Sequence, residues 1–180
     1  MLYIPIGIPG CGKSTLAQLM VEAEIIDQDS IVNPDRLREL LTGDITSMEA
    51  NRSVFQIAHK ITYERIKYGL DVYFDATNLK KSDLIEVLKL SPVISQDTIT
   101  LIYSDTPDEE SLKRNSQRER QVPDFVMEKM IQRKKSLDIK ALLLEFNVKY
   151  VTQSTFTETV KERIFALTCP DPRFPVEAIQ

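Results

Sequence analysis

Short, fully apolar runs alternate along this chain with stretches of helical period. Residues 2–8 form an uninterrupted β-rich run, the pattern of a strand covered on both faces. Residues 13–21 follow with helical composition, and 30–33 read as a short second strand. Asn33-Pro34 then supplies a helix N-cap with proline in the first helical position, and Gly43 a stop. Thr46-Ser47-Met48-Glu49 has capping-box spacing and predicts the start of a long helix ending near Gly69. Its apolar positions Val54, Ile57, Ala58, Ile61, Tyr63 and Ile66 recur at roughly helical intervals.

Further along, 70–74 and 98–103 read as strands with a helical segment, 82–90, between them. Thr106-Pro107-Asp108-Glu109 predicts a capped helix running to about Arg114. Pro123 predicts the start of one long helix through about Phe146. A last strand over 148–151 and a short helix near 157–167 follow, and the proline-rich 170–180 reads as an irregular tail. Repeated strand–helix alternation implies crossover connections, hence a parallel sheet with helices on both faces. There is no internal repeat, low-complexity tract or convincing linker, so 1–168 is expected to form one α/β domain and 169–180 a tail.

Composition narrows the class. No apolar run in the 180 residues approaches the ~20 needed to span a bilayer. Residues 2–8 lack a basic leader, so they read as a buried strand and not a signal peptide. With only Cys11 and Cys169 and no export signal, the cytoplasm is the expected compartment and no disulfide framework is expected. Two cysteines and one histidine argue against structural zinc. His59, inside the long helix without a partner at metal spacing, reads as structural, and Phe55, Tyr63 and Tyr68 as packing residues and not a base-stacking platform. A net charge of −4 argues against a protein that coats nucleic acid. The charge is uneven, however: Lys113 to Lys135 holds eight basic and three acidic residues, leaving −9 elsewhere. A local basic strip of this kind can bind phosphates; its 129–135 half reads as a solvated helix face.

The chemistry concentrates at Gly7-Ile8-Pro9-Gly10-Cys11-Gly12-Lys13-Ser14, directly after one predicted strand and before one predicted helix. Glycines permit a tight path whose successive N–H groups face phosphate oxygens, helped by the positive helix end. Gly10, Cys11, Gly12, Lys13, Ser14 and Thr15 are the expected phosphate binders. Lys13 brings charge to the outer phosphates and the Ser14 hydroxyl can ligate magnesium. The Cys11 thiol at a helix N-terminus has two readings, an activated thiol or a small residue whose backbone alone matters; the second is preferred because no resolving thiol or base lies nearby.

Other residues choose among nucleotide proteins. No Asn-Lys-x-Asp signature and no Asp-x-x-Gly after the third strand are present, which disfavours a GTPase switch. Asp35 and Arg38, three apart at a helix start, share one face. They read either as a general base with a phosphoryl clamp or as an exposed ion pair. Asp75 follows an apolar strand, where ligand-contacting residues of parallel sheets gather. It reads as a magnesium residue acting through water, with Thr77 or Asn78 touching an acceptor; the alternative is a plain turn capped by Asn78. Arg114, Arg118 and Arg120 fall between two helices, where arginines on a mobile lid would exclude water from phosphates.

Four segments in this order, Gly7–Ser14, Asn33-Pro34-Asp35-Arg36-Leu37-Arg38, Asp75-Ala76-Thr77-Asn78-Leu79 and Arg114-Asn115-Ser116-Gln117-Arg118 with Gln121-Val122-Pro123, resemble the kinase domain of bacteriophage and bacterial 5′-hydroxyl polynucleotide kinases. The resemblance covers roughly residues 2–152. It implies a P-loop NTPase fold, a parallel sheet of about five strands flanked by helices, with an arginine-bearing lid at about 111–125. It implies Asp35 as the base activating a 5′-hydroxyl, Arg38 on the scissile phosphate, Lys13 and Ser14 on phosphates and metal, and Arg118 at the transition state, with Arg120 a second lid arginine. That family usually carries a phosphatase or ligase domain as well, and its wider membership acts on other hydroxyls. The expected reaction is therefore γ-phosphate transfer from ATP, with Mg2+, to a DNA or RNA 5′-hydroxyl. A small hydroxylated molecule as acceptor, or an ATP-binding module without turnover, are the alternatives.

Overall fold

The computed structural model describes residues 1–90 and 98–168; the tail expected over 169–180, with Cys169, lies outside them. Five parallel strands, β1 (Leu2–Ile6), β2 (Ile31–Val32), β3 (Val72–Phe74), β4 (Ile99–Tyr103) and β5 (Lys149–Thr152), form a sheet in the order β2-β3-β1-β4-β5. The helices between them are α1 (Lys13–Glu22), α2 (Pro34–Thr42), α3 (Asn51–Lys67), α4 (Lys81–Leu88), α5 (Asp108–Ser116), α6 (Asp124–Ser136) and α7 (Ile139–Phe146), and α8 (Gln153–Thr168) follows β5.

Alternation along β1 divides the core into two layers. Leu2, Ile4 and Ile6 pack with Val72, Phe74, Ile99 and Leu101 beneath α3, α4, α6 and α7. Tyr3, Tyr73 and Ile102 face the other way, against Leu16 and Met20 of α1 and Val160 of α8. Each fully buried Leu or Ile stabilises the fold by roughly 1.5–3 kcal/mol, so the all-apolar central strand is its main anchor.

Proline in a central strand is unusual because it cannot donate to the ladder. Pro5 is accommodated because the sheet divides beside it. The β1–β3 register runs only through Leu2↔Val72 and Tyr3↔Tyr73, whereas β1–β4 continues to Ile6↔Tyr103. Asn78 fills the gap: buried and in the left-handed region at φ 53, it shares its Nδ2 among the carbonyls of Pro5 (2.7 Å), Phe74 (3.3 Å) and Ala76 (3.2 Å). The ends of β1 and β3 are thereby bridged by a side chain in place of ladder bonds.

Three local expectations are corrected. The 46–49 capping box does not form: Asp44 accepts from the N–H (2.8 Å) and hydroxyl (2.6 Å) of Thr46, and α3 starts at Asn51. The helix expected over 123–146 is two, because the chain turns at Leu137 and the Asp138 side chain caps α7 by accepting from the Ala141 N–H at 3.0 Å. The last helix is longer than expected and starts directly after β5.

His59 stands between the rings of Phe55 and Phe74, at centroid distances of 6.1 and 5.7 Å. Burial holds its pKa below the ordinary 6.5, against the opposing pull of Glu86 and Asp83. The folded state therefore binds the proton less readily than the unfolded chain. Stability is complete above pH 6.5 and falls as the pH drops through 6.5 towards the folded value. Urea midpoints should decline between pH 7 and pH 5.5, and the decline should be shallower in His59→Leu; an identical slope in both would refute the assignment.

Candidate active site

The loop from Gly7 to Gly12 links the central strand to α1, and its carbonyls are held by donors from four places. Lys13, itself buried, donates its Nζ to the carbonyls of Gly7 (3.0 Å) and Ile8 (2.9 Å). The Cys11 carbonyl accepts from Thr106 Oγ1 (3.1 Å) and Gln153 Nε2 (2.8 Å). Tyr73, fully buried, donates its hydroxyl to the Lys13 carbonyl at 2.8 Å; burial raises its pKa well above the usual value, so it remains a donor. Thr106, expected to cap α5, is thus turned to the loop, and α5 begins behind Pro107 without a side-chain cap. The Cys11 thiol is buried 3.5 Å from Lys13 Nζ and its N–H donates to Ile8 O at 3.3 Å, so Cys11 shapes the loop from within and is not among the residues that line the cavity in front of it.

That cavity, about 590 Å³, brings together Gly10, Gly12, Lys13, Ser14 and Thr15 with Asp75 and Thr77 from the end of β3 and Arg114 and Arg118 from the far side. Ser14 Oγ donates to Asp75 Oδ2 at 2.8 Å, and Asn33 Nδ2 reaches the same oxygen at 2.9 Å. A hydroxyl and a buried carboxylate beside a phosphate cradle are the hard oxygen donors that suit Mg2+, a cation that takes few protein ligands and completes its shell with phosphate and water. Asn33 works with both ends, since its Oδ1 also caps α2 by accepting from Arg36 N–H at 3.0 Å. A smaller cavity of about 310 Å³ adjoins the first, sharing Arg114, Gln153 and Thr157.

Asp35 sits in the first turn of α2. Its Oδ1 pairs with Arg38 Nη1, and Arg38 donates Nη2 to Asn51 Oδ1 at 2.8 Å. The Arg38 side chain is 5% exposed and that of Asp35 57%: the arginine is buried against Asn51 of α3 and the carboxylate stands in the open. Arg120 approaches from across the cleft, with Nη1 3.7 Å from Asp35 Oδ2.

The segment carrying Arg118 and Arg120 is closed by Asn115, buried, whose Nδ2 donates to Val122 O (2.8 Å) while its Oδ1 accepts from Val122 N–H (3.1 Å). Gln121 Nε2 adds a bond to Ser116 O at 2.8 Å. The loop so formed aims its two arginines differently. Arg118 lines the nucleotide cavity; Arg120, expected on the nucleotide, is placed against Asp35 instead.

Several sequence expectations are changed by packing. Asn78, expected near an acceptor, has its amide nitrogen committed to the strand ends. Lys134, read as solvated, is buried, 3.2 Å from Asp108 and over the Tyr103 ring. Tyr68, read as a packing residue, is 74% exposed, whereas Phe55 packs on the core and Tyr63 lies under Lys60. Gln153 was missed altogether, because nothing local distinguishes a glutamine opening a helix from any other.

The family profile described as an AAA domain matches residues 2–137, and the chain belongs to that family. "Structure of Pnkp1/Rnl/Hen1 complex" is 27% identical at TM-score 0.50, covering 63% of this chain and 38% of that one. "Structure of the Pnkp1/Rnl/Hen1 RNA repair complex" is 24% identical at TM-score 0.60, covering 76% and 46%. This chain thus spans less than half the length of either. A gluconokinase from Sinorhizobium meliloti 1021 shares the fold at 16% identity and TM-score 0.56, over 92% of this chain and 90% of that one. No curated protein compared with the chain matches it. The architecture is that of a P-loop kinase.

Gly10 joins the cradle to the lid. Its φ is +84, and a Cβ there would lie 2.3 Å from the Ser111 carbonyl oxygen of α5. Gly69, at φ +74, has nothing within 4 Å of such a Cβ. Both Gly→Ala changes carry the backbone penalty, about 1 kcal/mol or more. Gly10→Ala should cost clearly more in urea unfolding and should also weaken ATP binding, whereas Gly69→Ala should leave binding as it was. Equal losses in the two variants would show that the α5 contact does not matter.

Proposed function

We propose that this member of the AAA-domain family is an ATP-dependent kinase that phosphorylates the 5′-hydroxyl end of a DNA or RNA strand. The observation that carries the reading is Asp35, a carboxylate 57% exposed, two residues beyond the cavity-lining Asn33 and flanked by Arg38 and Arg120. An enclosed polar pocket suits a metabolite; an open rim with a carboxylate suits the terminal hydroxyl of a long chain. The polynucleotide kinase-like segments of the sequence and the similarity to a chain of an RNA repair complex support the same acceptor.

The geometry supports the following roles. Lys13 and the N–H groups of the Gly7–Gly12 loop hold the outer phosphates of ATP. Ser14 and Asp75 would hold Mg2+, which when bound neutralises charge on those phosphates. Arg118 extends from the lid over the same cavity. Asp35 accepts the proton of the acceptor hydroxyl as its oxygen attacks the γ-phosphorus and the bond to the bridging oxygen of ADP breaks. Arg38, buried with its Nε unpartnered among the described residues, faces the charge on the transferring group. Binding and alignment supply most of the acceleration in such reactions.

A second reading has one observation in its favour: the gluconokinase matches this chain over nearly its whole length. Its similarity supports the fold, and the exposed Asp35 favours the polymer end.

Incubation with γ-labelled ATP, Mg2+ and a 5′-hydroxyl oligonucleotide should transfer label to the oligonucleotide, while small sugars offered in parallel should remain unlabelled. Label on the sugars alone would reject the nucleic-acid acceptor. Asp35→Asn should lower kcat by about 10²–10⁴-fold with little change in ATP affinity; an unchanged kcat would remove Asp35 as the base.

A further inference from the structure

We propose that the outer face of α6 is the track along which a single-stranded nucleic acid leaves the acceptor site. Phe125 is the platform for one base, and Lys129 and Arg133 pair with the phosphates beside it. The inference rests on the nucleic-acid acceptor of the proposed function and names the surface that holds the strand beyond its 5′ end. Charge restricts where such a strand can lie. Residues 113–135 carry +5 while the rest of the chain carries −9, so a polyanion is repelled over most of the surface and drawn to this strip.

Several cations of the strip are already engaged. Arg118 lines the nucleotide cavity, Arg114 pairs with Glu110, Arg120 with Asp35, and Lys134 and Lys135 with Asp108. Lys129 and Arg133 have no carboxylate partner among the described residues. The fold of α6 puts these two on the side away from the core. The helix buries Met127 and Lys134 and packs Ile131 on the main core cluster. At 3.6 residues per turn, the opposite face presents Phe125, Lys129, Gln132 and Arg133, all exposed. Phe125 is 62% exposed, and Lys129 Nζ stands 5.4 Å from its ring centroid. Asp124 and Glu128 lie on the other flank of that ring, Glu128 about 100° around the helix from Lys129.

A single exposed phenylalanine needs no explanation. This one is backed by uncompensated cations, the combination that holds single strands by stacking a base on the ring and setting phosphates on the charges. The lysine contact with the ring is weaker than base stacking on it, so a base can displace it. The face also begins where the lid ends. Arg120 reaches Asp35 at 3.7 Å, and Val122, between Arg120 and Phe125, is fixed by both bonds to Asn115. At most about 17 Å of chain separates Arg120 from Phe125, so a strand with its 5′ end at Asp35 meets the ring within its first few nucleotides. With Met127 in the core and Lys134 held by Asp108, the face is presented without further ordering.

Equilibrium binding of the full chain to a single-stranded oligothymidine of about 12 nucleotides, to a thymidine dinucleotide and to inorganic polyphosphate tests this. Label transfer from γ-labelled ATP is measured separately. The wild type should hold the long strand more tightly than the dinucleotide. Phe125→Ala should weaken the long strand about tenfold and leave polyphosphate, dinucleotide, ATP and the urea midpoint as they were. Phe125→Tyr should keep the wild-type affinity. Lys129→Gln and Arg133→Gln should each lower the slope of log affinity against log salt for the strand by about 0.7. A wild type that holds the long strand no better than the dinucleotide would overturn the proposal. So would Ala and Gln variants that bind it as the wild type does, which would leave the face to a protein partner. A Phe125→Ala protein that loses polyphosphate as much as the strand would rule out stacking, and one that loses the dinucleotide or ATP would place its effect at the reaction site; either result overturns the proposal. Label transfer to the dinucleotide with no gain from length would strike the track alone. Phe125-dependent strand binding with no acceptor labelled would refute the kinase reading alone.

Discussion

A chain segment can turn several N–H groups towards an anion only if its carbonyls find donors elsewhere, since an unpaired buried carbonyl is expensive. In this protein Lys13, Thr106, Gln153 and Tyr73 meet that demand for Gly7, Ile8, Cys11 and Lys13. The donors come from the first residue of α1, from the segment after β4, from the start of α8 and from β3. The cradle is consequently a product of the whole sheet, and its geometry depends on the strand order that brings those segments around β1.

The same dependence ties the two halves of the site together. Asn33 caps the helix that presents Asp35 and, with its other end, fixes the Asp75 carboxylate against Ser14. The Asp35-bearing helix and the Asp75 carboxylate are therefore positioned by one side chain at the end of β2. On the far side, Asn115 closes the loop that carries Arg118 and Arg120, and α5 presses its backbone on Gly10. A shift of the lid would be felt in the cradle through that contact.

Strand existence and order of elements were legible because fully apolar five-residue runs such as 2–6 leave little choice once both faces must be covered. Asn33-Pro34 likewise announced α2, and the glycine-lysine-serine spacing announced the cradle. What stayed hidden was decided by partners distant in sequence. The 46–49 capping box lost Thr46 to Asp44, and Thr106 was taken by a carbonyl 95 positions away. Gln153 reaches across 142 positions to Cys11. Residues Asp35, Asp75 and Arg118 could be proposed from local spacing and resemblance, but the meeting of Asp75 and Arg118 on one cavity, and the turn of Arg120 away from Arg118 towards Asp35, needed the fold.

The Arg120–Asp35 pair gives the arrangement its electrostatic logic. The proposed role of Asp35 as proton acceptor calls for an ionised, unencumbered carboxylate, yet Asp35 is flanked by two arginines. Arg38 is walled in by α2 and Asn51 and cannot withdraw, so its charge is a constant feature of the site. Arg120 is 43% exposed, 3.7 Å away and carried on a loop, so its contact is weak and exchangeable in solvent. Under the proposed function, a phosphate-bearing ligand would offer Arg120 more negative charge than one carboxylate does, and competition for the arginine would release Asp35. The buried pair thus orients the carboxylate, and under the proposed function the exchangeable one would hold its second oxygen until an anion replaced it, which the open setting of Asp35 permits.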